Sequence, residues 1–250
     1  MKPIKYILLG FIGILIIPIF SLFVLSFRAT DGNIFKWYLE ILKNESFISA
    51  FLSSFITSIA VGCLTVLLSF FISLAYFEKK TRLIVILAVL VMGLIPPDIL
   101  SVSINKFAQI MGFNKANLFF LYFGLLLYCL PFGIIILWAR YYFIDKGLIT
   151  TSEDLGLNNK SIVLKIILPL SKTAMISVFL FSFLLTFNEY PRTFYLSGSV
   201  EYLSEFLNGK LSSGTDNSIY AGGTISILIT CLVIVAYGIM MKYKASNVKM

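Results

Sequence analysis

Long apolar runs, each bounded by charged or polar residues, dominate the chain. They cover residues 7–27, 47–77, 83–104, 116–139, 173–194 and 217–241. A helix needs about 20 predominantly apolar residues to cross the hydrocarbon core of a bilayer. The pattern therefore predicts an all-α fold, a polytopic membrane bundle of six transmembrane helices. With no soluble segment between the runs, residues 1–250 are predicted to form a single transmembrane domain.

Composition supports a membrane protein and excludes several other classes. Of the 250 residues, 59% are hydrophobic and 13% charged, which leaves too little polar surface to cover a soluble globule. The net charge of +8 does not indicate nucleic acid, because the basic residues cluster at the ends of apolar runs. The three cysteines lie inside apolar runs and the chain has no histidine, so we expect no metal site. Membrane lipid is the expected surrounding, without a nucleic-acid partner.

The basic residues also predict the topology. If both termini are cytoplasmic, 13 of the 20 Lys and Arg residues fall on the inner side and 7 on the outer side, which agrees with the positive-inside rule. The inner set is Lys2, Lys5, Lys79, Lys80, Arg82, Arg140, Lys146, Lys160, Lys165, Lys172, Lys242, Lys244 and Lys249. The first apolar run, about 21 residues, is longer than the core of a signal peptide. We therefore predict a multi-pass protein of the cytoplasmic membrane with a retained first helix.

In the third and fifth runs the uncharged part is short and is followed by an acidic residue beside proline. Their uncharged parts, residues 83–97 and 173–188, are shorter than the roughly 20 residues that a span requires. They lead into Pro96-Pro97-Asp98 and Asn188-Glu189-Tyr190-Pro191. At about 1.5 Å per residue, each carboxylate lies about 22 to 25 Å from the inner end of its run. Both carboxylates are thus predicted to lie in the outer part of the hydrocarbon region.

Paired, proline-interrupted segments of this kind indicate a translocation pathway. Proline removes a backbone donor and opens a helix, which lipid tolerates only where protein or a water-filled cavity satisfies the freed carbonyl groups. A buried acid costs about 2.5 kcal/mol or more unless it is paired or hydrated. Such segments mark the binding site of many transporters. The predicted pathway residues are Asp98, Asn188, Glu189, Tyr128 and Tyr190.

Two carboxylates among aromatic rings favour a cationic solute, through charge pairing and cation–π contact. In the alternative reading, Asp98 and Glu189 already lie in the outer headgroup region and are solvated there, near Arg192 or Lys106. This reading assigns them no function.

The polar segment between the fourth and fifth runs, about residues 145–170, predicts a helix–glycine–helix loop. Thr150 and Glu153 have the spacing of a capping box that starts a short helix. Gly156 suits the left-handed residue that ends it. Asn158 or Asn159 can cap a second helix, and Pro169 is predicted to end or bend that helix. The loop is too short to fold alone, so its apolar face needs a partner or the membrane surface.

This loop resembles the coupling motif of the membrane subunits of ATP-binding-cassette importers, E-A-A, three residues, G, nine residues, I-x-L-P. Gly156, Ile166, Leu168 and Pro169 fall on its spacing. The chain departs from the family at the first triplet, which is Thr150-Thr151-Ser152. Glu153 is a hypothetical substitute for the family's glutamate. Asp154 also lies in a stretch, Asp154-Leu-Gly156, that is similar to the family.

The resemblance extends over about residues 47–241 and is closest to the spermidine/putrescine importer permeases. It rests also on the stretches 94–100, 128–132 and 165–170. It implies a six-helix subunit that pairs with a second, homologous permease subunit. It further implies two ATP-binding subunits, and an extracytoplasmic solute-binding protein that delivers the solute. The loop would then dock on an ATPase from the cytoplasmic side.

The chain lacks the G-x-x-x-x-G-K-S/T pattern that cradles ATP phosphates. It is therefore predicted not to be an enzyme, to bind no cofactor, and to depend on partner subunits for ATP hydrolysis. Polyamine is the favoured solute, while importers of iron, thiamine or phosphonate share much of the scaffold. An ion-coupled carrier is the remaining alternative, and it leaves the loop unexplained.

Overall fold

The structure is a computed structural model that describes residues 2–28, 33–76, 82–113, 117–214 and 217–247. These residues form helices joined by short turns, and the described ranges contain no strand. The helices are α1 (Lys2–Ser26), α2 (Lys36–Lys43), α3 (Glu45–Tyr76), α4 (Arg82–Leu94), α5 (Pro97–Ile110), α6 (Leu118–Tyr142), α7 (Lys146–Asp154), α8 (Asn159–Ile162), α9 (Leu168–Phe187), α10 (Pro191–Leu196), α11 (Leu203–Ser213) and α12 (Ser218–Asn247). The all-helical prediction is confirmed for this part of the chain.

Four helical segments of the described chain are long and apolar enough to cross a membrane. They are Glu45–Ala75, Leu118–Tyr142, Asn159–Phe187 and Ser218–Ile239. They match the second, fourth, fifth and sixth predicted spans, although predicted limits at residues 77 and 116 lie outside the described residues. The first predicted span corresponds to α1, whose described apolar part, Gly13–Ser26, is shorter than these four segments. The protein is thus a multi-pass membrane protein, and the count of six spans stays a prediction.

The third and fifth predicted spans are not continuous helices over their full lengths. Residues 83–104 divide into α4 and α5, because Pro96 and Pro97 interrupt the backbone pattern and α5 begins at Pro97. The helix of the fifth span begins at Asn159 instead of residue 173 and ends at Phe187, before Pro191. Proline therefore breaks both segments, as the sequence predicts, and each break is followed by a further helix, α5 of 14 residues and α10 of 6.

One compact unit consists of residues 1–51 and 203–250. Within it α1, α2 and α11 each pack against α12. The α2 helix is tied to the end of α1 because the Tyr38 and Ser26 hydroxyl groups lie 2.7 Å apart and the Trp37 Nε1 donates to the Arg28 carbonyl oxygen at 3.0 Å. Ile41 of α2 is buried within this unit.

The second unit, residues 52–202, contains the break residues and the loop. One buried cluster in it centres on α6 residues Leu121 and Leu125 and includes Ile104 and Leu196. The other is formed around Leu137, Tyr141 and Val178, between α6 and α9. Both clusters include side chains of α6, and α5, α9 and α10 all pack against this helix. The α6 helix is therefore the scaffold on which the candidate site is built.

Candidate functional site

The break after α9 is a short turn with defined caps. The helix ends at Phe187, and the exposed Asn188 is its C-terminal cap. Pro191 opens α10, where its missing N–H removes no intrahelical hydrogen bond. The Thr193 Oγ1 donates to the carbonyl oxygens of Glu189 and Tyr190, each at 2.8 Å. The hydroxyl thus fixes the turn that carries Glu189.

Glu189 and Arg192 form a buried ion pair across this turn. Arg192 is 2% exposed and Glu189 is 8% exposed. The guanidinium also lies over the ring of Tyr128, with Cζ 4.1 Å from the ring centroid. We call these three residues the Glu189 cluster. It joins α6 to the beginning of α10, and it holds one negative and one positive charge.

The Arg192 guanidinium is only partly satisfied in this cluster. Its Nη1 donates to Glu189, whereas its buried Nε has no hydrogen-bond partner among the described residues. Two charges taken out of water lose their hydration, and their attraction compensates for this only when the remaining donors are also bonded. The pair is consequently less stable than a fully bonded buried salt bridge.

The other predicted pathway residues lie around the cluster or apart from it. The half-buried Tyr190 stacks on Phe194, with 5.5 Å between the ring centroids. Asp98 is exposed in the first turn of α5, and no hydrogen bond or ion pair joins its carboxylate to another described residue. Tyr128 and Glu189 are brought together through Arg192, whereas Asp98 lies on α5 outside the Glu189 cluster.

The two helices that follow the proline breaks pack against each other. The α5 and α10 helices are in direct contact, and the Asn105 Nδ2 donates to the Tyr195 carbonyl oxygen at 3.0 Å. Both also pack on α6. The two interrupted segments therefore meet through their second helices, whereas Asp98 and Glu189 have different surroundings. That the two segments share one pathway site stays a prediction.

A carboxylate and an aromatic face that both contact one cation form a recognised binding arrangement for organic cations. Here the cation is Arg192, for which the sequence indicates only a place near a solvated carboxylate. Its spacing from Glu189, three residues, is that of a pair on one helical face and is the signal that identifies it. The contact between Arg192 and Tyr128 has no such signal in the local sequence.

The loop before α9 begins with a different cap from the predicted one. The Asp145 Oδ1 accepts a hydrogen bond from the Gly147 N at 2.9 Å, so Asp145 caps α7. Thr150 lies inside α7, where its Oγ1 donates to the Lys146 and Gly147 carbonyl oxygens. The predicted capping box of Thr150 and Glu153 is therefore wrong. Asp145 is at least as good a cap, and the helix that it starts continues through Thr150.

The end of α7 agrees with the prediction. Gly156 has φ +82°, the left-handed conformation. The Gly156 N donates to Glu153 O at 2.9 Å and the Leu157 N to Ser152 O at 3.1 Å, which is the Schellman pattern. Asn158 then caps α8, because its Oδ1 accepts from the Ser161 N at 2.8 Å. A helix–glycine–helix arrangement is thus confirmed in the described chain.

Pro169 does not end the second helix of the loop. The segment Val163–Ile167 is π-helical and continues directly into α9, in which Pro169 lies in the first turn. Proline cannot donate to the carbonyl four residues earlier and clashes with it, and a wider π turn accommodates both effects. The Arg140 Nε donates to the Leu170 carbonyl oxygen at 2.9 Å and thereby ties α6 to this point.

The outer surface of the loop is available for contact. Thr150, Glu153, Asp154 and Gly156 are exposed, and Leu155 is 78% exposed. Ile166 and Leu168 are half-buried and Pro169 is exposed. The loop therefore presents one polar helix and an apolar tip, held in place by its caps and by Arg140.

Comparisons with known proteins agree with the motif resemblance. The spermidine/putrescine transport system permease protein PotC of Escherichia coli strain K12 is 24% identical over 231 residues, 89% of this chain and 87% of that protein. The PotC protein of Haemophilus influenzae is 25% identical over 234 residues, 88% of this chain and 89% of its own length. No protein-family profile matches the chain.

Solved structures show the same fold. A structure of the MetNI methionine ABC transporter in inward-facing conformations matches with a TM-score of 0.63 and 17% identity, covering 80% of this chain and 98% of that chain. A bacterial ABC transporter involved in the import of the acidic polysaccharide alginate matches with a TM-score of 0.68 and 15% identity, covering 96% and 95%. The chain thus has the fold of ABC transporter permeases and is similar in sequence, over most of its length, to spermidine/putrescine permease proteins.

Proposed function

We propose that the chain is a pathway-forming permease subunit of an ATP-binding-cassette importer and that its solute is a polyamine of the spermidine/putrescine type. The observation that carries this proposal is the Glu189 cluster, in which a carboxylate and an aromatic ring enclose a cation at a broken helix. Polyamines present alkylammonium groups, which such a site recognises. The named relatives support the same solute class.

The loop from Asp145 to Leu170 would couple this pathway to ATP hydrolysis. Its exposed helix and apolar tip suit docking in a groove of a separate ATP-binding subunit, on the cytoplasmic side, with both termini of the chain also cytoplasmic. ATP would be hydrolysed by two such subunits and not by this chain. Hydrolysis can drive alternating access only if the loop binds the ATPase differently in the two states. The capped, helix-tied loop is suited to transmit such a movement.

The remaining partners follow from the same proposal. A second homologous permease subunit would complete the pathway, and an extracytoplasmic solute-binding protein would deliver the solute. The ABC transporter structures with the same fold support this assembly in general terms. An ion-coupled carrier would need the acidic residues but would have no use for the α7–α8 loop.

One observation favours a second candidate solute. Arg192 neutralises Glu189 within the chain, so the site has less net negative charge than two free carboxylates would give. A permease for another small solute, such as an iron complex, thiamine or a phosphonate, would accommodate this charge balance.

Uptake into proteoliposomes that contain the complete complex distinguishes a polyamine permease from a permease for another small solute. We expect labelled spermidine to accumulate, and unlabelled putrescine to compete with it, while thiamine and phosphonate do not. Uptake of a competing class without uptake of spermidine would contradict the polyamine assignment.

A further inference from the structure

The Glu189 cluster has the composition of an alkylammonium site that is already filled. Glu189 supplies the carboxylate and Tyr128 supplies the ring face, and the guanidinium of Arg192 contacts both, with its Cζ 4.1 Å from the ring centroid. We propose that Arg192 is a built-in occupant of this site, and that the ammonium group of a solute must displace it to bind. This inference rests on the proposed function for its choice of solute.

The surroundings of Arg192 agree with a displaceable occupant. Its buried Nε lacks a hydrogen-bond partner among the described residues. A cation that serves only to hold the fold is stabilised by bonding all its donors, because a buried unsatisfied donor is costly. An incompletely bonded guanidinium can be replaced by a solute ammonium with a smaller loss of favourable contacts.

Arg192 belongs to a short element that packs closely on its neighbours, with Leu196 of the same helix fully buried. It lies on α10, a helix of only six residues between the turn at 188–190 and Gly198, which has φ +72°. The site of displacement is therefore a short element between two turns and not the middle of a long helix. Because α10 packs on α5 and α6, a shift of α10 would change its contacts with both helices.

The consequence for specificity is that two cations compete for one carboxylate. While Arg192 occupies the site, Glu189 is neutralised and a solute binds weakly. When Arg192 is absent, the place of its guanidinium beside the Glu189 carboxylate and the Tyr128 ring can take an ammonium group directly. Arg192 thus sets the threshold for solute binding at this site, and Lys, a hydrated point charge without a planar face, would compete less well.

Direct binding of labelled putrescine to the purified complex in lipid nanodiscs, without the solute-binding protein, tests this inference. We expect Arg192→Gln to bind putrescine roughly tenfold more tightly than the parent complex, a ratio equivalent to about 1.4 kcal/mol. Arg192→Gln combined with Glu189→Gln should lose this gain. Lys106→Gln removes one positive charge from an exposed residue of α5 and is the matched control, expected to bind like the parent.

Equal binding by Arg192→Gln and Lys106→Gln would overturn the inference. If Arg192→Gln does not assemble, Arg192→Lys provides the second test, with a smaller gain in affinity expected and parent-like binding contradicting the inference. The proposed function fails separately, if the parent complex does not take up polyamine. A gain in putrescine binding by Arg192→Gln without polyamine uptake by the parent would support the cation site and contradict the polyamine assignment.

Discussion

At the scale of single residues, the carboxylate of Glu189 is paired with a counter-ion from its own chain, Arg192. The sequence places an acidic residue beside proline near the outer end of a short apolar run, which predicts a functional carboxylate. The structure adds that Arg192 pairs with this carboxylate and lies over the ring of Tyr128. Any effect of a Glu189 substitution on transport will therefore be accompanied by an effect on stability.

Glu189→Gln is expected to reduce both stability and uptake. The substitution leaves the guanidinium of Arg192 buried without its carboxylate, and removing one partner of a buried pair costs about 3 to 5 kcal/mol. Thermal unfolding of the purified complex should move to lower temperature, and uptake of a cationic solute should fall. Glu201→Gln, at an exposed position, is the control and should change neither measurement. Parent-like stability of Glu189→Gln would show that the pair does not contribute to the fold.

Asp98→Asn is expected to act on uptake alone. Asp98 is exposed in the first turn of α5, so its substitution leaves no buried group unpaired. Loss of an attraction of about 1 kcal/mol, the value for two charges about 4 Å apart in water, corresponds to a roughly fivefold decrease in uptake at low solute concentration. Assembly with the ATPase should be unchanged. Unaltered uptake would remove Asp98 from the pathway.

The residue-scale features that depend on neighbours along the chain could be predicted from sequence, and the others could not. The left-handed Gly156 and the cap at Asn158 are consequences of local chemistry. The contact of Arg192 with Tyr128 joins α10 to α6 and depends on how these helices pack. No local pattern encodes such a contact, so only the Glu189–Arg192 half of the cluster has a sequence signal.

At the scale of elements, proline and glycine determine where helices stop. Both predicted breaks occur, because the missing proline N–H is a local property that neighbouring packing does not restore. The capping box at Thr150 fails, since Asp145 is a competing cap a few residues earlier and cooperative helix growth carries α7 past Thr150. Pro169, in contrast, does not stop a helix, because the π-helical segment Val163–Ile167 lets the helix continue.

Gly156→Ala is expected to weaken coupling to the ATPase. A Cβ at Gly156 would contact nothing within 4 Å, so the only penalty is the left-handed φ, about 1 to 2 kcal/mol for an L-residue. Gly209→Ala is the matched control, because Gly209 also has open space around it but lies in the regular helix α11. Co-purified ATPase and solute-stimulated ATP hydrolysis should fall for Gly156→Ala only. Equal values for both variants would contradict the role assigned to the turn.

At the scale of the whole molecule, the proposal requires a defined orientation in the membrane. The distribution of Lys and Arg predicts that the α7–α8 loop faces the cytoplasm. Leu155, 78% exposed at the tip of the loop, is a suitable position for a single reporter. The three native cysteines, of which Cys63 and Cys231 are exposed, are first replaced by alanine.

Leu155→Cys in this background should react with a membrane-impermeant thiol reagent only from the cytoplasmic face. Inverted vesicles present that face to the reagent, whereas right-side-out vesicles protect it. As a control, the reagent is applied from the inside and from the outside of the same vesicles. This checks that the membrane is sealed. Labelling from the extracytoplasmic face would contradict the orientation and, with it, docking of the loop on a cytoplasmic ATPase.

The claim that this membrane chain moves solute with energy from a separate ATPase is tested most directly by spermidine uptake into proteoliposomes containing the full complex. The complex is oriented in the proteoliposome membrane so that the α7–α8 loop lies on the side to which ATP is added. We predict uptake that requires ATP on the loop side and is lost when the ATP-binding subunits are left out or inactivated. Spermidine accumulation by the permease subunits alone, driven by an ion gradient, would contradict the account.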